Sequence, residues 1–367
     1  DITWIENTYS GDSVRDTEFV KEMERRNQRS ISMNPFTDEG KEIIRALVKD
    51  ADIFIESSKG PVWARKGITD DFLWEVNPRL VIVHVSGFGH VGDPKRVHSA
   101  AYDLTVQDYS GYVYQNGTPE EAMTAAPYTG DYFNSLMVIS SALAAVFRAQ
   151  RTGEGESIDV AMYETMLRVG AYYMIDYMNK GVLYPRAGAR HQNLCAIGQY
   201  KTKDGILGLC CYGVPQNKYL LEVIGLGDLW GTEEYPEDTS ALWLDGPKAS
   251  LIEQKLEEYL LTQNVDDVEA DFVAHKIAAQ KCLDFDDLLA EEHTKLRGNF
   301  MEWENREGET IKGLNTVPRF AHRPGGFWRP MPALGEDTRD VLHRSGFSDE
   351  DIERFKASGS IKFAEED

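Results

Sequence analysis

Two hydrophobic periods alternate along the first third of the chain. Ile2 to Glu6 and RSISM at 29–33 read as strands, and TDEGKEIIRALVKDA then places apolar residues at 43, 44, 47 and 48. That spacing predicts a helix capped by Thr37 or Asp38. DIFIE at 52–56 and LVIVHVS at 80–86 are short β-branched runs, the pattern of strands buried on both faces of a parallel sheet. The alternation predicts an α/β fold, with an open parallel, Rossmann-like sheet covered by helices on both faces.

A loop-rich stretch follows from Gly87 to Gly130, then a long apolar helix from about Tyr132 to Ala149, ending near Thr152 and Gly153. SIDVAMY reads as a strand leading into a second long, Met- and Tyr-rich helix to about Lys180. GVLYPRAGARHQN at 181–193 reads as a linker. Beyond it, YKTKDGILGLCCYG predicts a hairpin turning at Asp204 and Gly205. The acidic segment to about residue 300 forms a smaller α+β domain. The Pro- and Gly-rich stretch at 319–335 is a return linker before a helix pair at 336–343 and 348–356. The expected division is therefore 1–186 for the N-terminal part of a large domain, 187–318 for a small domain with its linker, and 319–367 for the return to the large domain.

Composition narrows the function. Lys plus Arg number 39 against 61 Asp plus Glu, a formal charge of -22, and such a field repels nucleic acid and anionic membrane. An anionic ligand would need a local basic cluster. Cys195, Cys210, Cys211 and Cys282 contain no C-x-x-C pair, so a reducing cytoplasm is the simplest compartment. No run of about 18 apolar residues is expected to span a membrane. DITWIE reads as a strand from its first residue, and an N-terminal piece is expected to be missing.

Several motifs have both a plain and a chemical reading. GFGHVG at 87–92 matches G-x-G-x-x-G after a strand, but DPKRVHS with its Pro94 follows it rather than a helix, which favours a simple glycine loop. GDSV at 11–14 lacks the paired base of a nucleophilic serine. The eight histidines are scattered without ligand spacing, so no metal site is expected. KGPVWARKG at 59–67 gathers Lys59, Arg65 and Lys66 just past a strand end, either a solvated face or a phosphate grip. Asp131 in PYTGDYF stands directly before the long helix. It is an ordinary N-cap by position, and equally a carboxylate held ionised by the helix N-terminus. Tyr102, Tyr109, Tyr112, Tyr114, Tyr128, Tyr132 and Phe133 crowd the same region, as core, as interface or as a wall for a quaternary ammonium group.

WIEN at 4–7, DIFIESSKGPVWARKGITD at 52–70, NPRLVIVHVSGFG at 77–89, AAPYTGDYF at 125–133, GEGESIDVAMYETMLRVG at 153–170 and PALGEDTRDVL with the following GFSDEDI occur in that order. In this order and spacing the chain resembles the family III CoA-transferases over its whole length. The resemblance implies an interlocked homodimer, coenzyme A and acyl-CoA as substrates, no permanently bound cofactor and no metal. It implies that Asp131 is the nucleophile and that Lys59 and Lys66 contact CoA. The second of these is commonly Arg in the family's carnitine-type branch, so a point charge replaces a fork there or Arg65 supplies it. Through GDSVR at 11–15, it makes Arg15 a CoA contact.

The absence of a glycine-run lid after LGLCCYG points to the carnitine-type branch. The acids exchanged would then be betaine-type carboxylates such as L-carnitine, crotonobetaine and γ-butyrobetaine. Related racemases would need a His where this chain has Tyr102, and tyrosine, with a reference pKa of about 10, is a poor base at neutral pH. A CoA-binding protein without turnover is the alternative from another class.

Overall fold

A computed structural model of the chain describes residues 1–170 and 172–364. The strands in chain order are β1 (Thr3–Glu6), β2 (Arg29–Met33), β3 (Ile53–Ser57), β4 (Val81–Ser86), β5 (Glu156–Ala161), β6 (Ile197–Lys201), β7 (Ile206–Cys210), β8 (Ala278–Lys281), β9 (Phe300–Glu304), β10 (Thr310–Leu314) and β11 (Ile361–Lys362). The helices that carry the cores and the site are α1 (Asp38–Val48), α2 (Val62–Arg65), α3 (Asp103–Tyr109), α4 (Thr129–Thr152), α5 (Met162–Gly170), α6 (Tyr172–Lys180), α7 (Ala249–Leu260), α8 (Val265–Ala274), α9 (Thr338–Arg344) and α10 (Asp349–Ala357). The chain forms two compact units. One comprises residues 1–99, 136–160 and 286–367; the other comprises 100–135 and 161–285. Each unit is discontinuous in sequence.

In the first unit the expected single parallel sheet is two three-stranded sheets, β1-β2-β11 and β3-β4-β5. β1 and β2 run parallel, as do β3 and β4, but β11 joins β2 antiparallel through Ile361 and Met33. β2 thus has a partner on each edge, with none left for β3. Strand β4 accounts for the continuous apolar run at 80–86. Ile82 faces a core with Ile31, Ile43, Ile44, Leu342 and Phe355, while Val81 and Val83 face a second core with Val138, Ala142, Ala145 and Ala149 of α4. Successive strand residues point to opposite faces, so both faces of β4 must be apolar. The 1–99 segment closes α1 as expected, with Thr37 Oγ1 accepting from Gly40 N.

α4 corrects the expectation of no membrane-length segment. Its 24 residues include an 18-residue window of mean hydropathy 1.3, long and apolar enough by length and composition to cross a bilayer. The residues at 138, 142, 145 and 149 pack on the sheet. Leu136, Ile139, Leu143 and Phe147, at the same helical spacing, are exposed.

The second unit holds the expected hairpin, β6 and β7, with β8 added antiparallel to β7. Tyr200, Leu207 and Leu209 pack against Ile252, Leu256 and Leu260 of α7 and Phe272 of α8. The loop-rich stretch contains α3 and two single-turn helices at 94–97 and 112–115. The first is set by Asp93 Oδ1 accepting from Lys95 N, with Pro94 in the first turn. The linker at 181–193 is tied down, because Arg186 donates to the carbonyls of Tyr114, Thr118 and Pro119. In the first unit, Asn27 likewise holds the return linker at Gly326, Trp328 and Arg329.

Arg15 has a structural assignment. Its Nε and Nη2 donate to the two oxygens of Glu6 at 2.7 and 2.6 Å, and Nη1 donates to the Pro332 carbonyl at 3.0 Å. Ser30 Oγ and Asp12 N complete the shell of Glu6, and Arg15 also stacks over Trp4. The Glu6 side chain is 0% exposed, so its charge is tolerable only with these donors. Arg15→Ala is expected to lower unfolding stability by about 3–5 kcal/mol, read as a fall in the urea midpoint. A loss below about 1 kcal/mol would place the pair among exposed salt bridges instead.

Candidate active site

The turn entering α4 is built around a carboxylate that does not belong to the helix. Asp103, the first residue of α3, accepts from Gly130 N through Oδ1 at 2.7 Å and from Tyr128 N through Oδ2 at 2.9 Å. The same Oδ2 accepts from Gln107 Nε2, whose Oε1 in turn accepts from Ala125 N. Asp103 therefore satisfies amides at the helix start that an N-cap ordinarily would. A Cβ on Gly130 would come within 2.7 Å of Asp103 Oδ1, so the approach requires glycine. Tyr128 takes a φ of +65°, the left-handed turn that reverses the chain into the helix.

This arrangement corrects the reading of Asp131 as N-cap. The helix begins at Thr129, and Asp131 lies inside its first turn. The capping role is already filled, and the Asp131 carboxylate is left for other work. Burial pushes its pKa above the ordinary carboxylate range, and the neighbouring Asp103 charge pushes it the same way. The helix dipole opposes both, favouring the ionised form by roughly 0.3–1 kcal/mol. Behind the site, buried Asn134 of α4 accepts from Thr165 Oγ1 of α5 at 3.1 Å, fixing the two helices.

In the first unit, the basic loop follows β3. Gly60 has a φ of +62°, and a Cβ there would come within 2.9 Å of His98 Nδ1, so the turn after Lys59 needs glycine. α2 is anchored by Trp63, which packs edge-on against Phe36 and Phe54. Lys59, Arg65 and Lys66 are all exposed. Among the described residues, no ion pair or side-chain hydrogen bond engages any of the three. Arg15, by contrast, directs three donors at Glu6 and Pro332.

The same strand ends carry a group that sequence reasoning missed. Glu56 on β3, His84 on β4 and His90 on the loop after β4 converge. His84 Nδ1 lies 2.8 Å from Glu56 Oε1, and its Nε2 lies 3.0 Å from Asp70 Oδ1. Burial works against a charged His84, but hydrogen bonds to Asp70 and Glu56, with their charges, outweigh it and lift its pKa to about 9. This cluster overturns the expectation that the histidines are scattered beyond ligand reach. The sequence signal was Glu56 and His84 at matching positions on paired strands. The GFGHVG loop itself opens no helix. Ser86 Oγ and Asp159 hold it by accepting from Gly89 N and His90 N.

Of the seven aromatics near Asp131, all but Tyr112 are exposed. Tyr102 is 79% exposed and Tyr128 62%, which removes the core reading for most of them and leaves a surface for binding or contact.

The comparisons with known proteins agree with one another. The model of CoA-transferase family III matches residues 1–338. The chain is 41% identical over 367 residues to the L-carnitine CoA-transferases of Proteus mirabilis (strain HI4320) and Proteus sp. (strain LE138), covering all of this chain and 90% of each relative. A CAIB/BAIF family protein from Brucella suis has a similar structure, with a TM-score of 0.74, 26% identity, and coverage of 94% of this chain and 92% of that one. Rv3272 from Mycobacterium tuberculosis shares the fold, at a TM-score of 0.79 and 20% identity, covering 93% and 91%. The chain therefore belongs to CoA-transferase family III, and is an enzyme that takes CoA thioesters as substrates.

Proposed function

We propose that the enzyme exchanges CoA between betaine-type carboxylates, L-carnitine, crotonobetaine and γ-butyrobetaine among them, with Asp131 as the nucleophile. The observation that carries this reading is the helix entry. Asp103 takes the capping role, which leaves Asp131 in the first turn with a raised pKa and hence a more basic carboxylate. Relatives named L-carnitine CoA-transferases, at 41% identity over the full length, support the choice of acid. The exposed aromatics from Tyr102 to Phe133 supply faces that attract a trimethylammonium group, and the charge of -22 favours a cationic acid over a plain anionic one.

The Asp131 carboxylate attacks the donor thioester carbonyl and expels CoA thiolate, giving a mixed anhydride. The thiolate then attacks the aspartyl carbonyl, releases the donor acid as its carboxylate, and leaves an aspartyl-CoA thioester. The acceptor carboxylate attacks that thioester, and the returning thiolate attacks the acceptor's acyl carbon. Acyl-CoA product and Asp131 carboxylate result, with no net proton change. Covalent catalysis of this kind divides one hard exchange into easier ones.

Lys59, Arg65 and Lys66 are proposed to hold the CoA phosphates, being exposed cations with no competing carboxylate. Arg15 is assigned to Glu6 rather than to phosphate. A homodimer fits the exposed apolar stripe of α4, with Leu136, Ile139, Leu143 and Phe147 covered by a second copy. The proposed compartment is the cytoplasm.

Incubation with crotonobetainyl-CoA and isotopically labelled L-carnitine should place label in the CoA-ester pool, measured by mass spectrometry. Asp131→Asn should reduce this exchange on the order of 10⁴-fold or more while acyl-CoA binding persists. Retained exchange would remove the nucleophile. Asp103→Asn keeps one of the two acceptor oxygens of the turn and deletes the charge that raises Asp131. The acid limb of its kcat/KM profile should therefore move to lower pH, and an unmoved limb would leave Asp103 a purely structural role. Lys59→Ala should raise KM for acyl-CoA about tenfold or more, the worth of one hydrogen bond to a charged group, with kcat held.

A further inference from the structure

We propose that Glu56, His84 and His90 form a binding site for one divalent transition-metal cation of the Zn²⁺ class, with Asp70 as its orienting partner. The site is separate from the carboxylate chemistry assigned to Asp131 and is not required by it.

The argument begins with an atom that the network leaves over. His84 is fully engaged by Glu56 and Asp70, and Glu56 Oε2 accepts from Ser58 Oγ at 2.6 Å. His90 Nε2 is buried without a hydrogen-bond partner, 3.6 Å from Glu56 Oε1. Burying an imidazole nitrogen without a hydrogen bond is unfavourable; the loop is pinned through the His90 backbone by Asp159, and the His90 ring lies 4.8 Å from that of His84. The side chain is aimed at the one carboxylate oxygen that His84 also faces.

One ligand atom from each of Glu56, His84 and His90 lies within 4.8 Å of the others. A tetrahedral ion with bonds of roughly 2.0–2.2 Å sets its ligand atoms about 3.3–3.6 Å apart. The 2.8 and 3.6 Å separations from Glu56 straddle that spacing, and rotamer adjustments on the order of 1 Å would complete it. Two imidazoles and one carboxylate are the donor set of three-ligand zinc sites, with a fourth position for water.

The outer partner is also in place. Metal-bound histidines characteristically donate their other ring N–H to a carboxylate, which fixes tautomer and direction. Asp70 Oδ1 stands 3.0 Å from His84 Nε2, so Nε2 donates to it and Nδ1 is left to face the cation. On binding, the cation would replace the proton shared between His84 Nδ1 and Glu56 Oε1. The buried carboxylate supplies one negative charge, and burial strengthens its attraction for the ion.

The test uses the full chain, stripped with a chelator and titrated with Zn²⁺ against a chromophoric competitor. One equivalent should bind, and Co²⁺ in its place should show the intense visible absorption of a four-coordinate site. Asp70→Asn should weaken binding roughly 10–100-fold, as for other outer-sphere partners. His90→Gln, which loses a direct ligand but no hydrogen bond of the fold, should weaken it more and still melt like the parent chain. Failure of the parent to bind one equivalent, or binding that His90→Gln leaves unchanged, would overturn the site. The readout is independent of transferase activity, so either result leaves the proposal for Asp131 standing.

Discussion

The helix entry at Asp103 is the constraint on which the functional reading depends. The start of an α-helix leaves amide groups without intrahelical acceptors, and some group must satisfy them. The usual solution places an Asp, Asn, Ser or Thr in the chain just before the helix. Here the acceptor comes from α3, 25 and 27 residues upstream of the amides it binds. One carboxylate does the structural task, and a second sits one residue past the glycine against which the first is pressed. Two acids this close favour protonation of one of them. The direction of the Asp131 shift follows from that, and so does the need for glycine at 130. A side chain there would press on the Asp103 oxygen that accepts from the Gly130 amide.

The unit containing β3 and β4 shows a related economy of position. The ends of parallel strands in open α/β sheets are where ligands gather; Glu56 and His84 lie near the C-terminal ends of β3 and β4, and the unpaired cations and His90 follow those ends. Against a total charge of -22, three unengaged cations within eight residues mark a local reversal of the field. Such reversals raise the local concentration of anionic ligands. Glu56, three residues before Lys59, is not available to neutralise it, because its oxygens are committed to Ser58 and His84. The buried acid and the exposed bases thus stay separate although they are neighbours at the end of one strand.

How much of this was legible depended on the range of the interactions involved. The strands β1 to β4 and the hairpin were readable because period and turn chemistry are local: Asp204 and Gly205 specify their turn within two residues. The division of the sheet was not readable, because it rests on β11, two residues arriving from the far end of the chain. α3 was hidden in a stretch read as loop, since its sequence DLTVQDY is half polar. The start of α4 was placed three residues late because Thr129 and Gly130 are poor helix formers. What starts the helix there is Asp103, and no spacing rule connects 103 to 130. Arg15 shows the converse. Its motif matched, yet the buried Glu6 beneath it claims the guanidinium.

Glu56 shows how far burial alone can carry an inference. A carboxylate with a fully buried side chain must be protonated, paired with a cation or bound to a metal, because an isolated charge in the interior is too costly. The hydrogen bond from Ser58 is too small a compensation, so His84 has to carry the balance, and a histidine can do so only by holding a proton or by sharing an ion. The two states need the same geometry from His84 and Asp70, and they differ at His90, whose Nε2, 3.6 Å from Glu56 Oε1, makes only a long charge contact in the protonated arrangement and supplies a third ligand in the metal-bound one. The Nε2 of His90, buried without a hydrogen bond, is therefore the feature on which the proposed site turns.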